Sequence, residues 1–408
     1  MRAQFILEWK KQPWLLHLFW FLLLLAMVGT TAIRYEANPH KHGIGDGDSE
    51  HVRWAAGTVT SDRKFWSTTI ARMTSNLKSD VDKSADSPQN RDYKQAGKTT
   101  SQQLLRGDYL GAITTEEAFL KKYPETRNRS YFLLGDFINA GGTAIEKDAA
   151  VSQYILKHKL NIFPGITEFS SALNNFTVTL GLSGIGIFAD QERTFCLIVL
   201  TMALTTFAMV FYRDRKNGTA SMMRAAPITA GKQALIRWAA TTLVLNLVLL
   251  LVAGLILAVM STFPDRTWGT FAYPIAVDFM NKVIIVPLGR LLLEWLLVAN
   301  LWFILIGSAA HLFSLFSRNT ILGMALLATG VFLEPLNLSA LIPAGLLRIL
   351  PGHFIDFAAV VRHYREFSVV SLVNTSGTFL IWTAMFVFLA GILLRLRTRS
   401  SSALLATD

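Results

Sequence analysis

Six side chains able to hold a metal ion crowd one Gly-rich stretch: His40, His42, Asp46, Asp48, Glu50 and His51 within NPHKHGIGDGDSEH. Imidazoles mixed with carboxylates suit a divalent ion, but their spacing matches no defined coordination pattern, so a solvated loop is the alternative reading. A second pair, Arg290 and Glu294, stands four residues apart, where opposite charges meet on one helix face. In the apolar surroundings of 283–315 the pair could be an intramembrane polar lock, the lining of a pathway, or a group exposed at the interface. Glu334 precedes Pro335, and a proline inside an apolar helix frees a backbone carbonyl and breaks the helix. Ser183 lies among the small residues of Gly181–Gly186 with no identifiable base, a pattern better suited to close helix packing. The chain has no His-Glu-x-x-His, Gly-x-Ser-x-Gly or Walker A sequence and no clustered membrane aspartates. No catalytic residue and no cofactor of its own are therefore expected.

The patterned polar stretch is Tyr212–Trp238, YRDRKNGTASMMRAAPITAGKQALIRW, between two long apolar runs. It carries Arg213, Arg215, Lys216, Arg224, Lys232 and Arg237 against one acid, Asp214. Such an excess of bases between two spans places the loop on the cytoplasmic side. Gly218-Thr219 opens a short helical piece, Met222 and Met223 form an apolar patch, and Pro227 closes it. A short helix ending in a compact turn at the membrane surface is shaped to be gripped from the cytoplasm.

The elements that carry these groups follow from composition. The chain has 408 residues, 52% hydrophobic and 16% charged, with a formal charge of +11. Soluble domains carry about 25% charged residues, so the depletion points to a membrane protein. The positive excess is then explained by topology and anionic headgroups rather than by nucleic acid. The single cysteine, Cys196, excludes an intrachain disulfide, which for a large exported domain suits a bacterial surface.

Residues 1–13 read as an interfacial helix, with Phe5, Ile6 and Trp9 on one face and Arg2, Glu8, Lys10 and Lys11 lining the rest. Trp14–Ile33 is long enough to span. A signal peptide is the alternative, against which stand the length of the apolar run and a poor cleavage context at Ala32. From 34 to 186 acids and bases nearly balance, which suits an exported and largely helical domain. Trp66, Ile70, Met73 and Leu77 have helical spacing. Thr114 with Glu117 and Thr143 with Glu146 read as capping boxes, the second opening a helix through about His158. Residues 82–101 read as a loose polar joint.

Further spans are expected at 187–212, Ala239–Met260, Trp295–Leu315, Thr320 to about Leu350 with a break at Glu334-Pro335, and Phe367 to about Leu394. Residues 261–278 read as an external connection. Pieces near 283–294 and 335–366 read as interfacial or re-entrant, and 395–408 as a cytoplasmic tail anchored by Arg395, Arg397 and Arg399. The count is six spans with both termini inside.

The loop, with Asp214, Asn217-Gly218-Thr219, Met222-Met223 and Ala226-Pro227 before Lys232, resembles the cytoplasmic loop of ABC-2 type transporter permeases. An amphipathic helix before the first span and a large extracytoplasmic domain between the first two spans are also similar to that family. The acid is Asp where Glu is more usual, and Ile228-Thr229-Ala230 follow the proline where a small polar and basic pair is more typical. The resemblance implies a mainly α fold, a six-helix transmembrane bundle of ABC-2 exporter type with a largely helical extracytoplasmic insertion. It implies a non-enzymatic permease of the bacterial cytoplasmic membrane, working as a homodimer or heterodimer with a similar chain amid membrane lipids. Its substrate would be a peptide, antibiotic or lipid-like molecule, and ATP with Mg would be bound by a separate cytoplasmic ABC ATPase subunit. Asp214, Gly218, Thr219, Met222, Met223, Pro227 and Lys232 would couple to that ATPase. The alternatives are a membrane sensor or scaffold whose outer domain binds a ligand without transport, and a membrane-bound enzyme.

Overall fold

The computed structural model describes residues 2–37, 88–124, 145–162, 171–180, 182, 189–216, 229–262, 267–317 and 319–405. The metal candidates between His40 and His51, the helical spacing from Trp66 to Leu77, the Thr143 cap and Ser183 lie outside these residues. In chain order the helices are α1 (Arg2–Lys10), α2 (Trp14–Ala37), α3 (Pro88–Leu105), α4 (Tyr109–Lys122), α5 (Ile145–His158), α6 (Ala172–Thr179), α7 (Ala189–Lys216) and α8 (Ala230–Met260). Strands β1 (Pro274–Phe279) and β2 (Lys282–Pro287) precede α9 (Leu288–Phe316), α10 (Thr320–Val331), α11 (Ala344–Leu347), α12 (Phe357–Val361) and α13 (Leu372–Leu405). The chain divides into two compact units, one of residues 1–27, 190–254 and 293–408, the other of 28–189 and 255–292.

Among the described residues, four helices are long and apolar enough to cross a membrane: Thr194–Arg213 within α7, α8, α9, and Leu372–Leu396 within α13. A fifth is reached when α1 and the Trp14–Thr30 part of α2, bent by 65°, count as one broken span. The chain is thus a largely helical, multi-pass membrane protein. The expected six-helix bundle is corrected, because α10 holds only 12 residues. At 1.5 Å per residue it reaches about 18 Å, well short of a hydrocarbon core of about 30 Å. The cause is Pro335, whose ring would clash with the carbonyl four residues earlier, that of Val331, and Val331 is where α10 ends.

In the first unit α7 and α9 are the inner helices, with 67% and 61% of their spanning windows buried, against 39% for α8 and 11% for α13. The outward residues of α13, among them Ile381, Val387 and Phe388, are large and apolar, as a lipid-facing surface requires. Between α10 and α13 much of the backbone is irregular, and carbonyls left out of regular helices need other donors. Two indoles supply them: Trp302 Nε1 donates to the Phe354 carbonyl at 3.0 Å and Trp382 Nε1 to that of Ile349 at 2.7 Å. Trp302 also meets the Phe379 ring edge-on at 5.1 Å. Gly352 permits the close approach, since a Cβ there would sit 3.1 Å from the Gly330 carbonyl oxygen.

In the second unit α3 packs on α4 across a turn at Gly107, whose φ of +74° suits glycine. Asn161 braces the turn, donating to the Gly107 carbonyl at 3.1 Å and accepting from Leu110 N at 3.0 Å. Two expectations are corrected here. Residues 88–105 form a regular helix entered through Pro88, a favoured first position. Thr114 is no cap: Asp108 caps α4, accepting from Gly111 N at 3.0 Å, and Thr114 Oγ1 donates to the Leu110 carbonyl. The helix ending at His158 is as expected.

The piece expected to be interfacial or re-entrant near 283–294 divides between a strand and the start of α9. Val283–Pro287 belong to β2, paired antiparallel with β1 from Pro274↔Pro287 to Phe279↔Lys282. The β-branched run Val283-Ile-Ile-Val286 favours a strand, and Met280 and Asn281, with φ of 49° and 60°, form its two-residue turn in the twist hairpins prefer. Helix α5 covers both strands, and Lys147 pairs with Asp278.

Candidate functional site at the base of the basic loop

Residues 217–228, and with them Gly218, Thr219, Met222, Met223 and Pro227, lie outside the described residues. Asp214 sits in the last turn of α7, and Lys232 is exposed in the first turn of α8. What the structure resolves is the base on which the loop stands, the end of α7 and the start of α8.

Its centre is Glu8 of α1, which is 0% exposed. A lone carboxylate at such a position would be costly without partners. Arg237 of α8 provides a two-pronged one, Nε to Oε2 at 3.2 Å and Nη2 to Oε1 at 3.1 Å. The planar fork of a guanidinium matches a carboxylate in this way. Arg213 of α7 approaches from the other side, with Nη2 3.9 Å from Glu8 Oε2 and Nη1 donating to the Lys11 carbonyl. One acid thus stands between one cation from each arm of the loop.

Uncharged groups complete the cluster. Gln12 Nε2 donates to the Glu8 carbonyl at 3.3 Å and to Thr241 Oγ1 at 3.2 Å, while Thr241 Oγ1 donates to the Arg237 carbonyl at 2.9 Å. His17 Nε2 lies 3.4 Å from Gln12 Oε1. The Arg237 guanidinium also lies over the Phe211 ring at 5.9 Å, an attractive placement for a cation. Facing outward on α1, Ile6 and Leu7 are 45% and 40% exposed. Glu8, grouped by the sequence with Arg2, Lys10 and Lys11 away from the Phe5, Ile6 and Trp9 face, is buried.

The aromatic residues that bound the loop are seated on glycines. A Cβ on Gly323 of α10 would fall 1.9 Å from Tyr212 Oη, and one on Gly307 of α9 would fall 2.4 Å from Trp238 Cδ1. Any side chain at either glycine would displace an aromatic group at the foot of one arm. Both arms are consequently held by carboxylate and glycine contacts from three other helices.

The other candidate residues belong to α9 and to the turn after α10. Arg290 is exposed and Glu294 half-buried on the first two turns of α9. Glu334 is half-buried and Pro335 exposed in the turn after α10. No metal-holding group of three or more His, Cys, Asp or Glu occurs among the described residues. The pairing of Glu8 with Arg237 spans 229 positions, so local spacing could not reveal it. One signal was available: Glu8 is the sole acid before Arg34. A lone acid in a basic interfacial helix asks for a partner. Comparison with protein-family models, with curated proteins and with solved structures finds no match.

Proposed function

We propose that this chain is the transmembrane subunit of an ATP-driven exporter of ABC-2 type, moving a peptide, antibiotic or lipid-like substrate across a bacterial cytoplasmic membrane. A separate cytoplasmic ATPase subunit binds ATP and Mg and grips the 213–238 loop, and the chain works as a dimer with itself or a similar permease. Both termini are cytoplasmic and the 34–186 insertion lies outside. The observation that carries this reading is a basic, Met-Met-bearing loop whose two arms are both fixed at their base. Force applied to such a loop passes into α7, α8 and α1 rather than being lost in a slack connection. The permease performs no covalent chemistry; its contribution is a coupling free energy between the loop and the transport path.

The test is capture of the tagged full chain from its native membranes. An ABC ATPase is expected to co-purify, and Met222→Glu with Met223→Glu, or Pro227→Glu, should separate ATP hydrolysis from export at unchanged membrane abundance. A signalling kinase in place of the ATPase would instead favour a sensor or scaffold. Loss of the loop variants from the membrane would make the loop a structural feature only.

A further inference from the structure

We infer that Glu8 is a positioning residue that makes α1 the third member of the loop's base, so that α1 moves with both arms as one body. The transport reading supplies the force this device would transmit, and to that extent the inference rests on it. The device itself is argued from geometry alone.

An interfacial helix held only by lipid would turn its apolar side to the bilayer and its charges to water. In α1 the carboxylate of Glu8 has left water completely, while Arg2 and Lys10 remain exposed. Removing one partner from a buried ion pair is strongly unfavourable, because the other charge is left without compensation. Sliding α1 away from α8 would break both hydrogen bonds between the Glu8 carboxylate and the Arg237 guanidinium. Sliding α7 away from α1 would break the Arg213 contacts to Glu8 and to the Lys11 carbonyl. These contacts therefore penalise any motion of one member without the others, whereas motion of all three together leaves them intact. Gln12 adds a second tie from α1 to α8 through Thr241. The 65° break between α1 and α2 then turns a shift of the base into a change of angle at the foot of the first membrane helix.

The measurement is a spin-label distance between Ala3→Cys on α1 and Gly231→Cys on the first turn of α8, in the full chain reconstituted in lipid vesicles. Both sites are exposed. The one native cysteine, Cys196, is buried and takes no label. The parent should give a single narrow distance. Glu8→Gln, which keeps the shape and removes the charge, should widen the distribution by about twofold, since a neutral acceptor binds a buried guanidinium less tightly. Glu8→Asp, charged but shorter, should fall between the two and serves as well if the Gln variant accumulates poorly. An unchanged narrow distance in both variants overturns the inference, whatever the motor. In the captured complex the Gln variant should also export less per ATP hydrolysed. A widened distance in a chain that captures no ATPase would leave the strut standing and remove the transport reading instead.

Discussion

Asp92 in the second unit shows how much a single half-buried group is asked to do. Lys122 and then Tyr123, whose Oη donates at 2.8 Å, hold its carboxyl below the ordinary carboxylate range, and Asp92 in turn raises both partners. The signs are opposite at the two ends of the pH scale. Asp92 is depressed, so its contribution is complete above the ordinary aspartate value of about 3.9 and is lost as pH falls through the lower folded value. Lys122 and Tyr123 are raised, so theirs is complete below their ordinary values of 10.5 and 10.0 and is lost as pH rises through the folded ones. Lys122 is exposed and Asp92 and Tyr123 are half-buried, so solvent and salt screen the group. Thermal unfolding of Asp92→Asn against the parent should show a small deficit across neutral pH. That deficit should vanish in acid and shrink in high salt. The triad links the helix beginning at Pro88 to the end of α4, and neither partner was visible from local spacing, because Asp92 and Tyr123 are 31 positions apart.

Among the elements, the contact of α8 with α9 carries a closed amide pair. Asn246 Nδ2 donates to Asn300 Oδ1 at 2.7 Å and Asn300 Nδ2 to Asn246 Oδ1 at 3.0 Å; each amide also donates to its own helix, at the Thr242 and Leu296 carbonyls. The pair satisfies both side chains inside an apolar layer and sets the register of the two helices. Asn246→Leu should cost about 1 kcal/mol, read from denaturant unfolding in detergent, because Asn300 then loses its partner. Adding Asn300→Leu should recover most of that loss, since removing both members leaves no unsatisfied group. At this scale hydropathy located α8 and the apolar part of α7, and Asn246 stood out in its span. It failed for the run 283–286, since four consecutive apolar residues fit a buried strand or a helix equally well. It failed again after Val331, where the apolar residues continue but Pro335 forbids the helix.

For the molecule as a whole, the orientation of the loop decides the proposed function. Ser221→Cys should be labelled by a membrane-impermeant maleimide only after the bilayer is opened from the cytoplasmic side, with buried Cys196 silent. Labelling of intact cells would reverse the topology and remove the site for a cytoplasmic motor. Exposure of α13 agrees with a peripheral helix, and in a bilayer its apolar surface needs no protein cover, because lipid tails are as apolar as the side chains. The sequence placed a helix at 2–10, and the structure adds that its Glu8 is buried against Arg237.

Composition and hydropathy by themselves determined that this is a multi-pass helical membrane protein with a basic loop between two spans, because hydrophobic length and charge bias are sums over neighbouring residues. Only the tertiary structure decided that, among the described residues, four helices, or five with the bent pair, are long enough to cross, and that Glu8 is buried between Arg213 and Arg237. Burial of a charge depends on partners brought from distant parts of the chain. A proline's reach depends on which carbonyl its ring meets. Neither quantity is a property of any local window.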